Sequence, residues 1–322
     1  MAGDWMRQLD RLHAGLVRRD DPAAWVTEED AVRASVAYPH LAVRGPVFGT
    51  AALDPAAGGG WRVTHPVTCG TPGEAREALV SLLRQSARDD TRGSAARRAL
   101  LDALGALDAG ETDEAEVLGV LHRVVRGEEL ARSGAEGLEP PRPTDQEPPH
   151  PSWKGAWEPA LRDLGVRLDA EHAEAEDQGV MAGALRLALR GFAYTGTRFP
   201  ARVRADSRRA VRTHPEVVLL PTGFGVVQRT GRGWAPHGRL MPTPHDARRL
   251  LYEQLTGARP ADAAERDRYA RAARRFRAER RADEARAGET VFRVCRVERL
   301  VRTGAEGPEP PRPSDHAEYE QG

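Results

Sequence analysis

The chain has 322 residues, 48 of them Lys or Arg and 48 Asp or Glu, for a formal net charge of zero. That length suits about two domains of roughly 100–200 residues each. No run approaches the ~18 apolar residues of a membrane span, so none is expected.

Residues 4–19 place Trp5, Leu9, Leu12 and Leu16 at helical spacing with Arg and Asp opposite, which predicts an amphipathic helix. Asp20-Asp21-Pro22 stops it. Thr27 with Asp30 three residues on resembles a capping box that opens a second helix to about Ala37. Leu41–Arg44, Val47–Leu53 and Trp61–Thr64 are short apolar runs, divided by Gly45-Pro46 and Gly58-Gly59-Gly60; they read as a meander. Thr71 as N-cap, Pro72 at N1 and Glu74 at N3 open the next helix. Ser94–Leu107 forms another, and the stretch from Asp113 to about Leu121 also reads as helical. Arg123–Arg132 reads as a strand. The GAEG after it is a turn, and EPPRP is polyproline II, because consecutive prolines neither continue a helix nor feed a ladder.

A proline-rich linker, 146–157, leads into Glu158–Arg190, which reads as mostly helical with a break near Gln178-Gly179. Val217–Leu220, Phe224–Gln228 and a strand around Trp234 follow. Thr243-Pro244-His245-Asp246 opens a helix to about Thr256. Asp262 with Glu265 caps a long helix to about Ala287. Val291–Arg302 is the last strand.

The strongest signal is a repeat. Ser133–Asp145 (SGAEGLEPPRPTD) and Thr303–Asp315 (TGAEGPEPPRPSD) agree at 10 of 13 positions with an offset of 170. Upstream, Arg123, Arg126, Glu128, Leu130 and Arg132 match Arg293, Arg296, Glu298, Leu300 and Arg302. Thr71-Pro72, Trp61, Phe48-Gly49 and Pro39 match Thr243-Pro244, Trp234, Phe224-Gly225 and Pro215 as the offset drifts to 176. A period this long reads as a duplicated domain. The expected fold is α+β: two tandem copies of a β-β-β-α-α-β module, each an antiparallel sheet with helices on one face, forming a pseudo-two-fold pair. The expected divisions are a helical extension (1–30), copy one (31–147), a proline-rich linker with a helical connector (148–205), and copy two with its proline-rich tail (206–322).

Charge divides unevenly between the copies. Residues 31–147 carry 13 Arg and 17 Asp plus Glu, net −4, and residues 206–318 carry 23 Arg and 16 Asp plus Glu, net +7. Such asymmetry suits two halves that attract each other, or one half that binds an acidic partner. Lys154 is the only lysine, a composition typical of GC-rich coding, so arginine abundance alone says little. Cys69 and Cys295 do not align between copies, so neither a disulfide framework nor a metal set is expected. The first twenty residues lack an apolar signal region, and the expected setting is the cytoplasm.

Three candidate sites follow. In the last strand of each copy, Arg126, Glu128 and Arg132, and Arg296, Glu298 and Arg302, share one face, because side chains alternate across a sheet. This row suits bidentate binding of an anion or acidic peptide. Cross-strand ion pairing produces the same pattern. An enzyme site assembled between the copies would use Arg126, Arg296, Glu128 and Glu298. Separately, Arg268, Arg271, Arg274, Arg275, Arg277 and Arg281 give a basic helix able to lie on a phosphate backbone. No nucleophile, metal or phosphate-loop motif stands out, so no catalytic residue, metal or cofactor is assigned.

The repeated FRVCRVERLVRTG…GPEPPRPSD stretch, with W…TP..AR..L upstream, resembles a family of uncharacterised proteins from Streptomyces and related actinobacteria, filed as a domain of unknown function. Members often carry two copies. The resemblance implies a bacterial cytoplasmic setting and supplies no activity. The sequence therefore points to a non-enzymatic binding or regulatory protein that recognises another cytoplasmic protein or an acidic ligand. The alternatives are nucleic-acid association through copy two and an enzyme with a site between the copies.

Overall fold

The computed structural model describes residues 22–89, 93–109, 112–154, 160–169, 179–231, 233–258 and 262–316. The helix expected over 4–19 lies outside them. The fold is mixed α+β, with an open antiparallel sheet and eight helices among the described residues.

Helix α1 spans Pro22–Ala37. It starts at the proline, earlier than the expected Thr27 cap. Thr27 Oγ1 instead donates to Ala23 O within the helix at 3.0 Å, the back-bond a mid-helix threonine commonly makes. Strand β1 runs from His40 to Leu53 without a break. Gly45-Pro46 is not a turn but a bulge, with a register shift between Val43 and Gly45 and a φ of 144° at Gly45 that glycine adopts without steric cost. β2 (Trp61–Cys69) pairs with β1, so the expected three-strand meander is a two-strand hairpin. α2 (Pro72–Asp89) opens as the sequence predicts: Glu74 N donates to Thr71 Oγ1 at 3.0 Å, and Gly70 N donates to Glu74 Oε2 at 2.8 Å. α3 (Ser94–Asp108) follows. The expected helical continuation is instead the strand β3 (Glu114–Val117), turned back into β4 (Val120–Gly134) by Leu118 and Gly119. Both have positive φ, 56° and 81°, as a two-residue type I′ hairpin requires. The short β5 (Gly137–Leu138) pairs back onto β4.

Residues 160–169 are not helical. Leu168 N donates to Trp61 O at 2.9 Å and Val63 N to Val166 O at 3.0 Å, so this segment's backbone is spent on the β2 edge. Among the described residues of this stretch, helix begins at α4 (Val180–Arg190), followed by α5 (Ala201–Thr213). β6 is continuous from Glu216 to Thr230, and Pro221-Thr222-Gly223 is a bulge within it. β7 (Gly233–Pro236), α6 (Pro244–Gly257) and α7 (Ala263–Ala278) come next. α7 ends before the expected Ala287, because Glu284–Ala287 forms β8 against β9 (Thr290–Gly304). β10 (Gly307–Pro308) and α8 (Pro313–His316) complete the described chain.

The strand order is β2-β1-β4-β9-β6-β7, with β3 and β5 on β4 and β8 and β10 on β9. Directly opposed residues project to the same side of a sheet, which sorts the core. Val124, Leu130, Phe292, Val294 and Leu300 share one side. There Phe48 and Val124 meet Ala75 of α2, Leu130 and Leu300 meet Leu185 and Leu189 of α4, and Phe292 and Val294 meet α6 and α7. Val125 and Val301 project to the other side, under Leu168 of the irregular segment, and Cys295 and Val297 lie under Leu161. Helices cover one face and residues 160–169 help to cover the other.

Candidate functional site

β4 and β9 form the middle of the sheet but pair over only four positions: Gly127 with Val301, Glu128 with Leu300, Glu129 with Arg299, and Leu130 with Glu298. Past that contact, a segment of the EPPRP strap reaches from one strand to the other at each end. Glu139 N donates to Arg132 O and its carbonyl accepts from Arg296 N, both at 2.9 Å. Glu309 N donates to Arg302 O and its carbonyl accepts from Arg126 N, both at 2.8 Å. These bonds satisfy backbone groups that would otherwise be buried without partners. The strap that follows β4 therefore closes on β9, and the strap that follows β9 closes on β4.

The side chains repeat this exchange. Arg126 donates from Nη1 to Glu128 at 2.5 Å and from Nε to Asp315 of the far strap at 2.8 Å. Arg296 pairs with Glu298, and its Nε lies 3.1 Å from Asp145 of the other strap. Within the straps, Arg312 Nε bonds Glu309 at 2.7 Å and Arg142 Nε bonds Glu139 at 2.6 Å. Arg123 donates to the Glu306 and Pro308 carbonyls at 2.8 and 3.0 Å while lying over the Trp61 ring. Arg293 donates to the Glu136 and Leu138 carbonyls at 2.7 and 3.3 Å and lies over Trp234. Each strap tip is held alike, Thr144 N by Asp30 at 3.2 Å and Ser314 N by Asp206 at 3.0 Å.

The structure thus brings four of the six row residues into two ion-paired sets. Arg126 and Glu128 are each 2% exposed. Burial pulls the Arg126 pKa down, but the surrounding Glu128, Asp315 and Glu309 carboxylates outweigh it and hold the guanidinium charged. Arg296 goes the other way: burial lowers its pKa more than Asp145 restores it. Tyr194 donates its hydroxyl to Glu128 at 2.5 Å, and burial, followed by the Glu128 charge, raises the phenol pKa. The outer row residues are placed differently. Arg302 donates to the carbonyls of Leu189, Arg190, Phe192 and His214 at 2.6–3.4 Å, capping the C-terminal ends of α4 and α5. Arg132 is half-buried, and its Nε has no partner among the described residues.

On the opposite face of the crossover, Arg299 bonds both Asp163 oxygens, at 2.6 and 2.7 Å, with both side chains fully buried. Glu129 lies beside Arg44, at 3.5 Å. Burial raises the Glu129 pKa, and Arg44 and Arg299 counter it only in part.

Of the basic-helix residues, Arg268 stands 3.8 Å from Asp262, Arg271 pairs with Asp267, and Arg277 donates to Tyr252 Oη at 3.1 Å over its ring. Arg274, Arg275 and Arg281 are exposed, as is Arg280, and none pairs with a carboxylate among the described residues. A groove of about 390 Å³ runs between α6 and α7, with Leu255, Ala270 and Ala273 as its floor and Tyr252 and Arg274 on its rim. Sequence reasoning missed two things. It read EPPRP only as polyproline II, although the Glu of each strap bonds the backbone of the far Arg-x-Glu and its Asp pairs with that arginine, Glu139 and Asp145 with Arg296 and Glu309 and Asp315 with Arg126. It also passed over α5, where Arg202, Arg208, Arg209 and Arg212 are exposed without a described carboxylate partner.

Among the described residues, no group of three or more His, Cys, Asp or Glu could hold a metal ion, and no helix is long and apolar enough to cross a membrane.

An open antiparallel sheet with helices packed on one face, pinned at its middle by exchanged ionic straps, defines the class as α+β. The chain belongs to DUF5954, a family of unknown function, whose model matches residues 21–318. No curated protein and no solved structure matches the chain.

Proposed function

We propose that this chain is a non-enzymatic binding protein of the bacterial cytoplasm, built from an internally duplicated module, and that it recognises an acidic protein partner. The observation that carries this reading is a division of labour among arginines. The repeated Arg-x-Glu pairs are buried and spent on carboxylates of the exchanged straps, which suits an internal lock. Arg202, Arg208, Arg209 and Arg212 on α5, Arg274 and Arg275 on α7, and Arg280 and Arg281 just past its end are exposed with no described carboxylate partner. Unpaired surface charge of one sign speeds encounter with the opposite sign and adds specificity more than raw affinity. The apolar floor between α6 and α7 offers a place for a partner's hydrophobic anchor, which an interface needs in addition to charge.

The test is fluorescence anisotropy of a labelled acidic peptide bearing one aromatic anchor, titrated with the full chain at several salt concentrations. Salt-sensitive binding that is lost in an R208E/R209E/R274E/R275E variant supports the reading. Unchanged binding in the variant, or none at low salt, overturns it.

A second reading rests on α7 and the turn after it. Arg274 and Arg275 on the helix and Arg281 just past it, with no carboxylate partner among the described residues, suit a phosphate backbone. Labelled duplex DNA distinguishes the two. Binding with a steep log–log salt slope, abolished by R274E/R275E/R277E, favours nucleic acid. An acidic peptide that binds where DNA does not favours the protein partner.

A further inference from the structure

The strand order ends in β2 on one side and β7 on the other. The sequence repeat makes these edges equivalent, with Leu53 opposite Trp61 on the first and Arg229 opposite Trp234 on the second. The β2 edge is covered. Val63 N donates to Val166 O at 3.0 Å, while Gly165 N and Leu168 N donate to Val63 O and Trp61 O, both at 2.9 Å. Residues 163–168 thus run along β2 like an added strand, antiparallel to it where Arg167 meets Arg62.

The β7 edge has no such cover among the described residues. His237 N donates to Val226 O at 2.8 Å. Alternate pairs down the ladder, Ala235 with Gln228 and Gly233 with Thr230, therefore spend their backbone on β6, and Trp234 and Pro236 between them turn theirs outward. The Trp234 N–H and C=O and the Pro236 C=O are left without described partners, at the repeat positions of Trp61 and Val63. Gly233, Ala235 and Pro236 are exposed. A free edge of this kind is a template for another strand. Its surroundings set the chemistry of that strand. Residues 226–240 hold Arg229, Arg232 and Arg239 and no Asp or Glu. Arg229 lies over Trp234 at 4.9 Å, and neither it nor the exposed Arg239 pairs with a carboxylate among the described residues. Two β7 edges brought together would oppose like charges, and Pro236 would return no N–H. The edge also adjoins α6, whose Gln254 Nε2 donates to His237 O at 3.2 Å and whose Tyr252 and Leu255 line the groove against α7.

We propose that β7 holds a partner by strand addition: an extended acidic segment of another protein lies antiparallel along Gly233–Pro236, donating to Trp234 O and Pro236 O and accepting from Trp234 N. Its carboxylates meet Arg229 and Arg239. The proposal rests on the acidic-partner reading and adds the mode in which that partner is held, the mode that residues 163–168 already use on the equivalent edge.

The experiment uses the full chain and a labelled peptide in which glutamate alternates with valine around one tryptophan. Two further forms carry N-methyl groups on alternate amides, one on each edge of the extended peptide, which removes donors without changing charge. Affinity is read by anisotropy, and exchange of the Trp234 amide by NMR, with sedimentation run at several protein concentrations. The expected result is binding weakened about tenfold or more by one N-methylated form and little by the other, since two backbone bonds are lost on one edge only. Saturating peptide should also slow Trp234 exchange by about tenfold or more. Binding with Trp234 exchange unchanged, or weakened equally by both forms, overturns strand addition and leaves the acidic-partner reading standing. No binding of any form at low salt overturns both. Trp234 protection that rises with protein concentration alongside a dimer mass, without peptide, overturns the proposal and gives the edge to a second copy.

Discussion

Glu129 and Arg299 stand opposite each other where β4 meets β9, and they are also the same position of the sequence repeat, 170 residues apart. A symmetric pair of identical strands would place two like residues there. Two buried glutamates, or two arginines, would repel in a setting of low dielectric. Within one chain the two positions differ, and the opposed charges attract. Asp163, from the segment joining the two halves, completes the set by taking both ends of the Arg299 guanidinium.

Removing Arg299 strands that set. In Arg299→Met, the fully buried Asp163 and the nearly buried Glu129 lose their shared cation. Breaking a buried pair by deleting one partner costs ~3–5 kcal/mol. Urea unfolding is expected to show a loss of that size, and a change below ~1 kcal/mol would contradict the arrangement.

Two glycines pass under the tryptophans that flank the straps, with unequal room. A Cβ at Gly307 (φ +96°) would lie 2.2 Å from Trp61 Nε1, whereas at Gly137 (φ +109°) it would lie 2.8 Å from the flexible Arg293 guanidinium and 3.4 Å from Trp234 Nε1, an ordinary contact. Both alanine variants incur backbone strain of ~1 kcal/mol or more. Only Gly307→Ala adds overpacking of ~1–3 kcal/mol. Thermal unfolding of the two should place Gly307→Ala clearly lower.

The raised pKa of Glu129 has a signed consequence. The folded state holds the proton more tightly than the unfolded chain, so ionisation weakens the fold. This contribution is fully present below the unfolded value, about 4.3, and is lost as pH rises from there through the folded value. Glu129→Gln cannot ionise. The stability of the parent relative to Glu129→Gln should therefore fall as pH rises from about 4 to 7. Denaturant curves at several pH values measure it, and a relative rise would mean that Arg44 and Arg299 outweigh burial.

Arg302 feeds four carbonyls at the ends of α4 and α5. Arg302→Met leaves those carbonyls without a charged donor, at a cost of ~1.5–3 kcal/mol for hydrogen bonds to a charged group. Hydrogen exchange should rise first in the last turn of α4, around Leu189 and Arg190, and less in α6. Uniform change across the chain would deny the local role.

Much of the local structure was legible. Thr71, Thr243 and Asp262 each accept hydrogen bonds from the first turn of the helix they open, because a cap is an interaction over two or three residues. The final strands were legible for the same reason, since alternation needs no partner to be read. Gly45-Pro46 and Pro221-Thr222-Gly223 misled, because a turn and a bulge use the same residues and differ only in whether the flanking strands stay in line. Glu114–Val117 and Glu284–Ala287 misled because four residues carry too little periodicity to separate strand from helix.

The candidate row shows where legibility ends. The sequence by itself determined that Arg126, Glu128, Arg296 and Glu298 recur in step with the Glu, Arg and Asp of the straps. It also determined that both sets are charged, and that the second half is the more basic. Only the tertiary structure decided that the straps are exchanged, that the row is buried, and that the unspent cations lie on α5 and α7. The reason is range. Caps and alternation act between near neighbours, whereas Arg126 finds Asp315 across 189 positions of chain. Whether an arginine meets solvent or a buried carboxylate is settled only once two distant strands have crossed.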